Sequence, residues 1–295
     1  MLVDWNKHPA YFPIQKSCIK YLEDKRWDKA VNCPTCSSTE VIRVKKENRY
    51  KCYSCKRSFS VLKGTIFENT KLPLQKWFIA IYLVMDAKKG ISSLQLSRHL
   101  KVNKDTALLI QRRIRKVMKE AHILKGIIEI DEAYVGANLD KKSNRIRNKS
   151  MQHGVSNRTP ILGMYQREGK LVLKVINKTW AKEIRPLMDM SINPNSVIVS
   201  DGLSVYRHAK DKYTDHVVMN HKKQKYNEGI YNTSTIEGFW AMLKRSVIGT
   251  YHHISVKHLQ EYIDELSFKF NYRKSRNAFN LLIDRSLNLQ IPTDG

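Results

Sequence analysis

The stretch GIIEIDEAYVGA, residues 126–137, decides how the chain folds. After Gly126 the texture changes to strands, and isoleucines at 127, 128 and 130 make a short apolar run of the kind buried in a sheet. Asp131 stands near its end, followed by Glu132, Tyr134 and Gly136. Neighbouring residues on a strand point to opposite faces, so only one of Asp131 and Glu132 can face a given site. SVIVSDG, residues 196–202, repeats the pattern, a buried strand ending at Asp201. Between the two, TPILGMYQREGKLVLKVIN (159–177) reads as two strands around the turn REGK, and TWAKEIRPLMDM (179–190) as a helix. HVVMNH (216–221) is one more short strand and TSTIEGFWAMLKRSVIG (233–249) a helix. The order β-β-β-α-β-α-β-α, with acidic residues ending two buried strands, suits an α/β layer fold of ribonuclease-H-like type.

On the helix near Glu237, the residues Ile236, Phe239, Trp240, Leu243 and Val247 form one apolar stripe. Glu237 and Lys244, seven residues apart, fall within about 20° of each other on the border of that stripe. The glutamate is therefore expected beside the strand ends that carry Asp131 and Asp201. Three carboxylates meeting there repel one another unless a cation neutralises them. Oxygen-only ligation suits Mg²⁺ or Mn²⁺, and two such ions about 3.5–4 Å apart can serve phosphoryl transfer. The bland alternative for each aspartate is a turn residue or helix cap.

Composition points to the partner. Lys and Arg number 53 against 27 Asp and Glu, a net charge of +26 over 295 residues. A surface that positive attracts polyanions, and a chain this long buries a sizeable core. Membranes are the rival polyanion, but no apolar run approaches a span of about 20 residues. The opening MLVDWNKHPAYF has no basic region followed by an apolar stretch. The expectation is a cytoplasmic, nucleoid-associated bacterial protein that binds nucleic acid.

Cys33, Cys36, Cys52 and Cys55 form CPTC, 15 residues, then CYSC. Two such knuckles can converge as four thiolates on one structural Zn²⁺. The intervening segment alternates like the hairpin of a zinc ribbon; disulfides or a redox pair are the alternatives. Cys18 stands alone and reads as a buried apolar residue. Next, LPLQKWFIAIYLVMDAKKG repeats Trp77, Phe78, Ile81, Val84 and Met85 at helical spacing. ISSLQLSRHL follows, capped at Ser92 or Ser93, and the turn KVN leads into KDTALLIQRRIRKVMKE. Two helices with Lys104, Thr106, Gln111, Arg112, Arg113 and Arg115 on the second resemble a helix-turn-helix. A plain helical linker with a solvated basic face is the alternative. Trp27 and Trp180 read as core or interface residues, and His252, His253 and His258 as packing or DNA-contacting residues.

IDEAYVGA at Asp131, VSDGLSVY at Asp201, TIEGFWAMLKR at Glu237 and the block from 249 to 273 resemble the DDE-type transposases of insertion sequences. Within these, the likeness is to members with an N-terminal zinc ribbon and an ISXO-like catalytic domain, insertion-sequence family fifteen ninety-five. It implies that Asp131, Asp201 and Glu237 bind two catalytic Mg²⁺ or Mn²⁺ ions, with Asp131 bridging them. It also implies that Lys244, with Arg245 beside it, contacts DNA. The organisation expected is an N-terminal segment (1–30), a zinc ribbon (31–62), a helix-turn-helix module (68–121), a ribonuclease-H-like catalytic domain (126–275) and a C-terminal tail (276–295). Lys104, Thr106, Gln111 and Arg112 would read the terminal inverted repeats. Target DNA and a second copy of the chain, as a dimer or larger assembly on DNA, complete the expected partners. A DNA-binding regulator or a domesticated, inactive transposase is the competing reading.

Overall fold

The computed structural model describes residues 14–27, 30–44, 47–136, 158–219 and 231–288. Residues 137–157, a basic stretch of the sequence, lie outside them. The chain divides into two compact units, one of residues 1–87, 91–118 and 275–295, the other of 88–90 and 119–274.

In the first unit, helix α1 (Gln15–Arg26) precedes strands β1 (Val41–Val44), β2 (Arg49–Cys52) and β3 (Ser58–Phe59). The strands make an antiparallel sheet in the order β1-β2-β3. Tyr50 stacks on Phe59 at 5.7 Å, and Trp27 meets both rings edge-on, so Trp27 belongs to this small core. Cys18 is fully buried on α1, as expected of an apolar residue. Helices α2 (Leu74–Asp86), α3 (Ser93–Leu100) and α4 (Lys104–Met118) follow. The Ser92 hydroxyl accepts from the N–H of Gln95 and starts α3. Lys101 takes a left-handed conformation (φ 50°) to end it. Asn103 then caps α4 through the N–H of Thr106, at 2.7 Å. The turn KVN is thus a C-cap and an N-cap back to back.

The second unit is built on a five-stranded sheet: β4 (Ile127–Gly136), β5 (Arg158–Gln166), β6 (Leu171–Val175), β7 (Val197–Asp201) and β8 (Asp215–Met219), ordered β6-β5-β4-β7-β8. Only the β4–β5 and β5–β6 pairings are antiparallel, so β5 alone runs against the rest. Helix α5 (Ala181–Ser191) and the short α6 (Ala209–Lys212) accompany one face. There Ile128, Ile130, Leu162, Met164 and Ile198 pack with Ile184, Met188 and Tyr206. Helices α7 (Ser234–Ser246) and α8 (Val256–Asn271) cover the other, where Ala133, Val135, Ile161 and Tyr165 meet Ile236, Phe239, Trp240 and Ile263. Fully burying one such side chain contributes about 1.5–3 kcal/mol. The result is a mixed α/β layer fold.

An edge strand offers unpaired backbone groups that invite stray pairing. Here α8 covers the edge of β6 with side-chain amides. Gln260 accepts from the N–H of Val175 (2.9 Å) and donates to the carbonyl of Leu173 (3.2 Å). Asn271 does the same for both backbone groups of Leu171.

Within the stretch expected as a C-terminal tail, helix α9 (Ala278–Leu287) forms and joins the first unit. Phe279 meets Phe78 edge-on at 6.1 Å, and Asn280 accepts from Tyr21. Trp180 departs from a core position: it is 48% exposed.

Candidate functional site

Strands β4 and β7 pair in parallel through Ile127↔Val197, Ile128↔Ile198 and Glu129↔Val199, then part. Beyond that point, among the described residues, β4 continues only against β5, as far as Gly136↔Arg158. The chain therefore leaves β4 in both directions across the sheet, with β5 and β6 on one side and β7 and β8 on the other. Such a switch point opens a crevice at the carboxyl ends of the strands, where ligands of α/β sheets bind. Asp131 and Asp201 each lie two residues past the last paired positions, Glu129 and Val199, so alternation turns both to the same face.

That face is the one covered by α7. Trp240 on α7 donates its indole N–H to Asp131 Oδ2 at 3.0 Å. Asp131 is half-buried, and burial is the main reason its carboxyl is held above the ordinary range; the charges of Asp201 and Glu237 push it the same way. Glu237 lies exposed in the first turn of α7, where its Oε1 accepts from the Thr233 hydroxyl at 2.7 Å. Asp201 Oδ1 accepts from the N–H of Leu203 at 3.2 Å. The three carboxylates thus share one electrostatic neighbourhood without closing into a single ligand sphere. Among the described residues, the group of donor atoms that does close, within 4.8 Å, is the cysteine quartet. An all-carboxylate set fits Mg²⁺ or Mn²⁺ over softer metals, and a cation there would relieve the repulsion that raises Asp131.

Glu132 turns to the opposite face, where its carboxylate accepts from the hydroxyl of the buried Tyr206. Burial first, then the charges of Asp201 and Asp131, push Glu132 up to about 7.

Two supports of this site were not read from the sequence. Glu129 is fully buried two residues before Asp131 on the same face. Its Oε1 pairs with Arg167 at 3.1 Å and its Oε2 accepts from the N–H of Ile236 at 3.1 Å. Arg167 also donates to the carbonyl of Asn232 at 2.9 Å. A carboxylate on a first-turn N–H suits the positive end of the helix dipole, so α7 is pinned to β4 where Glu237 emerges. The second support is Gly163, the cross-strand partner of Asp131. A Cβ there would lie 2.5 Å from the Trp240 ring and 2.8 Å from Ile236. The absence of a side chain makes room for the indole that holds Asp131. The signal for Glu129 was a charged residue inside the apolar run IIEID, at the same parity as Asp131.

Lys244 and Arg245 are exposed in the last turn of α7. On α4, Lys104 and Arg112 are exposed and Thr106 is half-buried. Gln111 corrects the expectation of a base-reading face. It is buried, and its Nε2 donates to the carbonyl of Ile91 at 2.7 Å. A bonded, enclosed amide is not offered to a base edge, so Gln111 braces α4 against the segment that leads into α3. Arg113 is likewise engaged, with the carbonyls of Ile66 and Glu68.

In the ribbon, Cys33 and Cys55 approach to 3.7 Å between sulfurs and Cys36 and Cys52 to 3.6 Å. A tetrahedron with Zn–S bonds of about 2.3 Å has edges of about 3.8 Å, so the quartet has the dimensions of a structural zinc site. The two knuckles match. The N–H of Cys33 binds the carbonyl of Ser38 and that of Cys52 the carbonyl of Arg57, both at 2.9 Å. Ser37 and Lys56 make the left-handed turns (φ 61° and 59°). The backbone N–H of Cys55 is the main influence drawing the Cys52 thiol down to about 6, toward the thiolate that binds metal.

Residues 123–271 match the family described as the ISXO2-like transposase domain, and residues 14–58 the transposase zinc-ribbon domain. The chain is 29% identical over 295 residues to an uncharacterized protein in transposable element ISH50 of Halobacterium salinarum, covering 94% of this chain and 98% of that protein. Among solved structures, a chain of a pre-cleavage Mos1 transpososome aligns at 10% identity and a TM-score of 0.28, covering 71% of this chain and 76% of that one. A chain of the Mos1 strand transfer complex aligns at 11% identity and a TM-score of 0.30, covering 72% and 76%. No helix among the described residues is long and apolar enough to cross a membrane.

Proposed function

Because the chain belongs to the IS1595 family of insertion-sequence transposases, we propose that it binds the terminal inverted repeats of its element and cuts and rejoins DNA strands at the β4/β7 crevice. The observation that carries this reading is that Asp131 and Asp201 turn to one face where β4 and β7 part, near enough for the charges of Asp201 and Glu237 to act on Asp131, with Glu237 on a helix pinned to β4. The strand order, with β5 alone reversed, supports a ribonuclease-H-like catalytic domain.

In this reading Asp131, Asp201 and Glu237 would hold two Mg²⁺ or Mn²⁺ ions. Such ions, when bound, activate an attacking water or 3′-hydroxyl and offset charge on the leaving oxygen. The remaining work falls to the chain. Trp240 fixes the orientation of the Asp131 carboxylate through its N–H. Glu129 and Arg167 hold the first turn of α7, so Glu237 does not swing with a fraying helix end. Lys244 and Arg245 bind phosphate, and the ribbon with the exposed cations of α4, in a helix-turn-helix role, position the element end. One carboxylate cluster serves both hydrolysis and strand transfer, with nucleophile and leaving oxygen in line. Two ends must be joined at once, so the active form is a dimer or larger on DNA.

The test is a duplex containing an element end, incubated with the protein and Mg²⁺. Nicking at the end and joining to a second duplex, both lost in Asp201→Asn, are expected. Specific binding without cleavage under Mg²⁺ or Mn²⁺ would overturn this reading in favour of a DNA-binding regulator.

A further inference from the structure

Trp180 is 48% exposed in a position no core requires. It is the residue preceding α5, and two ammonium groups lie over its ring, Lys178 Nζ at 4.2 Å and Lys182 Nζ at 4.8 Å from the centroid. The mount is stiff. The N–H groups of Asn177 and Lys178 donate to the Glu183 carboxylate (2.8 and 3.4 Å), while those of Glu183 and Ile184 return to the carbonyl of Trp180 (3.0 and 3.1 Å).

Its place in the sheet matters as much. The N–H of Ile176, just past β6, binds the carbonyl of Pro160, and Pro160 stands opposite Tyr134 of β4. Tyr134 is three residues beyond Asp131 and is 49% exposed. Two exposed aromatics therefore mark the end of the sheet at which Asp131 lies, Tyr134 by parity on the face opposite Asp131 and Trp180 at the start of the helix that packs on that opposite face.

We propose that Trp180, flanked by Lys178 and Lys182, is a stacking site for an unpaired nucleotide of a DNA strand that passes this end of the sheet, an inference that rests on the transposase reading above. A paired base in duplex has its faces covered by its neighbours, so only an unstacked base offers a π surface to an indole. The two ammonium groups over that ring supply the counter-charge that the adjoining phosphates require, and they disfavour a cationic partner.

The experiment compares two probes with the full chain: a blunt duplex of the element end, and the same duplex with a short single-stranded overhang whose first base is 2-aminopurine. The intact protein should prefer the overhang and quench the probe. Trp180→Ala should lose about tenfold in affinity for the overhang, within the range of one stacked base, with little change for the blunt duplex. Trp180→Phe should restore most of the loss. Lys178→Ala with Lys182→Ala should weaken overhang binding in a salt-dependent manner. Equal affinity of Trp180→Ala and intact protein for the overhang, with unchanged quenching, overturns the inference even if end cleavage is normal. Absence of any end binding or cleavage by the intact protein instead fails the transposase reading itself.

Discussion

Tyr206 donates its hydroxyl to the carboxylate of Glu132, across the sheet from the face that carries Asp131. The bond ties the turn that follows Asp201 to β4, and it separates two adjacent acids into different roles. Asp131→Asn, Asp201→Asn and Glu237→Gln should each abolish cleavage and strand transfer while DNA binding survives. Ca²⁺ should support binding with little chemistry, because its loose coordination positions oxygens poorly. Glu132→Gln should still cleave, at a stability cost of about 1–3 kcal/mol for a disturbed buried hydrogen bond. Nicking assays and urea denaturation decide the matter. A dead Glu132→Gln beside an active Asp131→Asn would mean that catalysis uses the other face.

Gly163→Ala tests the seat of Trp240. The added methyl meets the indole at 2.5 Å, well inside contact distance, so the ring must move. Overpacking of this kind costs about 1–3 kcal/mol, and the displaced N–H should release Asp131. Cleavage should fall together with Tm. Trp240→Phe should lower cleavage with a smaller loss of stability, because it removes the N–H and leaves most of the ring packing. Full activity in both would sever the indole from the site.

Asp264 on α8 offers a pH test away from the crevice. Burial holds its carboxyl above the usual range despite a hydrogen bond from Gln260 and the charges of Lys174 and Lys119. For an acid raised in the folded state, its contribution is complete below the unfolded pKa of about 4 and is lost as pH rises through the folded value. Asp264→Asn should therefore gain on the intact protein as pH rises from acid to neutral, read by denaturant midpoints across that range. A gain that shrinks with pH would show the two lysines outweighing burial.

Cys52→Ser should remove the ribbon's metal. Zinc content is expected to fall from about one per chain, and the fold of the segment around β1–β3 should loosen with it, since metal binding supplies folding free energy in such small modules. Specific end binding should weaken as well. A purified protein that carries no zinc yet binds its ends normally would contradict the assignment.

On α4, Lys104→Ala with Arg112→Ala should reduce discrimination between element ends and random duplex, while general affinity persists through the remaining positive charge. A bidentate base contact is worth about 1–3 kcal/mol of that discrimination. Gln111→Ala should behave differently, lowering thermal stability by leaving the carbonyl of Ile91 unpaired. Parallel losses on both duplexes for the double variant would reduce α4 to a phosphate-contacting face.

Much of this protein was legible in the chain itself. The strands around Asp131 and Asp201 show in runs of apolar residues, because burial on both faces of a sheet selects them locally. The cysteine quartet shows in its spacing, because each knuckle is a contiguous turn that carries two ligands. The turn KVN shows for the same reason, its caps lying within three residues of the helices they end. What only the tertiary structure decided are the partners of polar groups that local pattern had assigned a face and nothing more. Trp240 belonged to an apolar stripe, and only folding brought its N–H to Asp131, 109 residues away. Glu129 found Arg167 38 residues on, Gly163 made room for the indole, and Gln111 turned inward to Ile91. Periodicity records how much of a residue is hidden from water. Which donor meets which acceptor depends on elements packed from distant parts of the chain, and no local spacing encodes that choice.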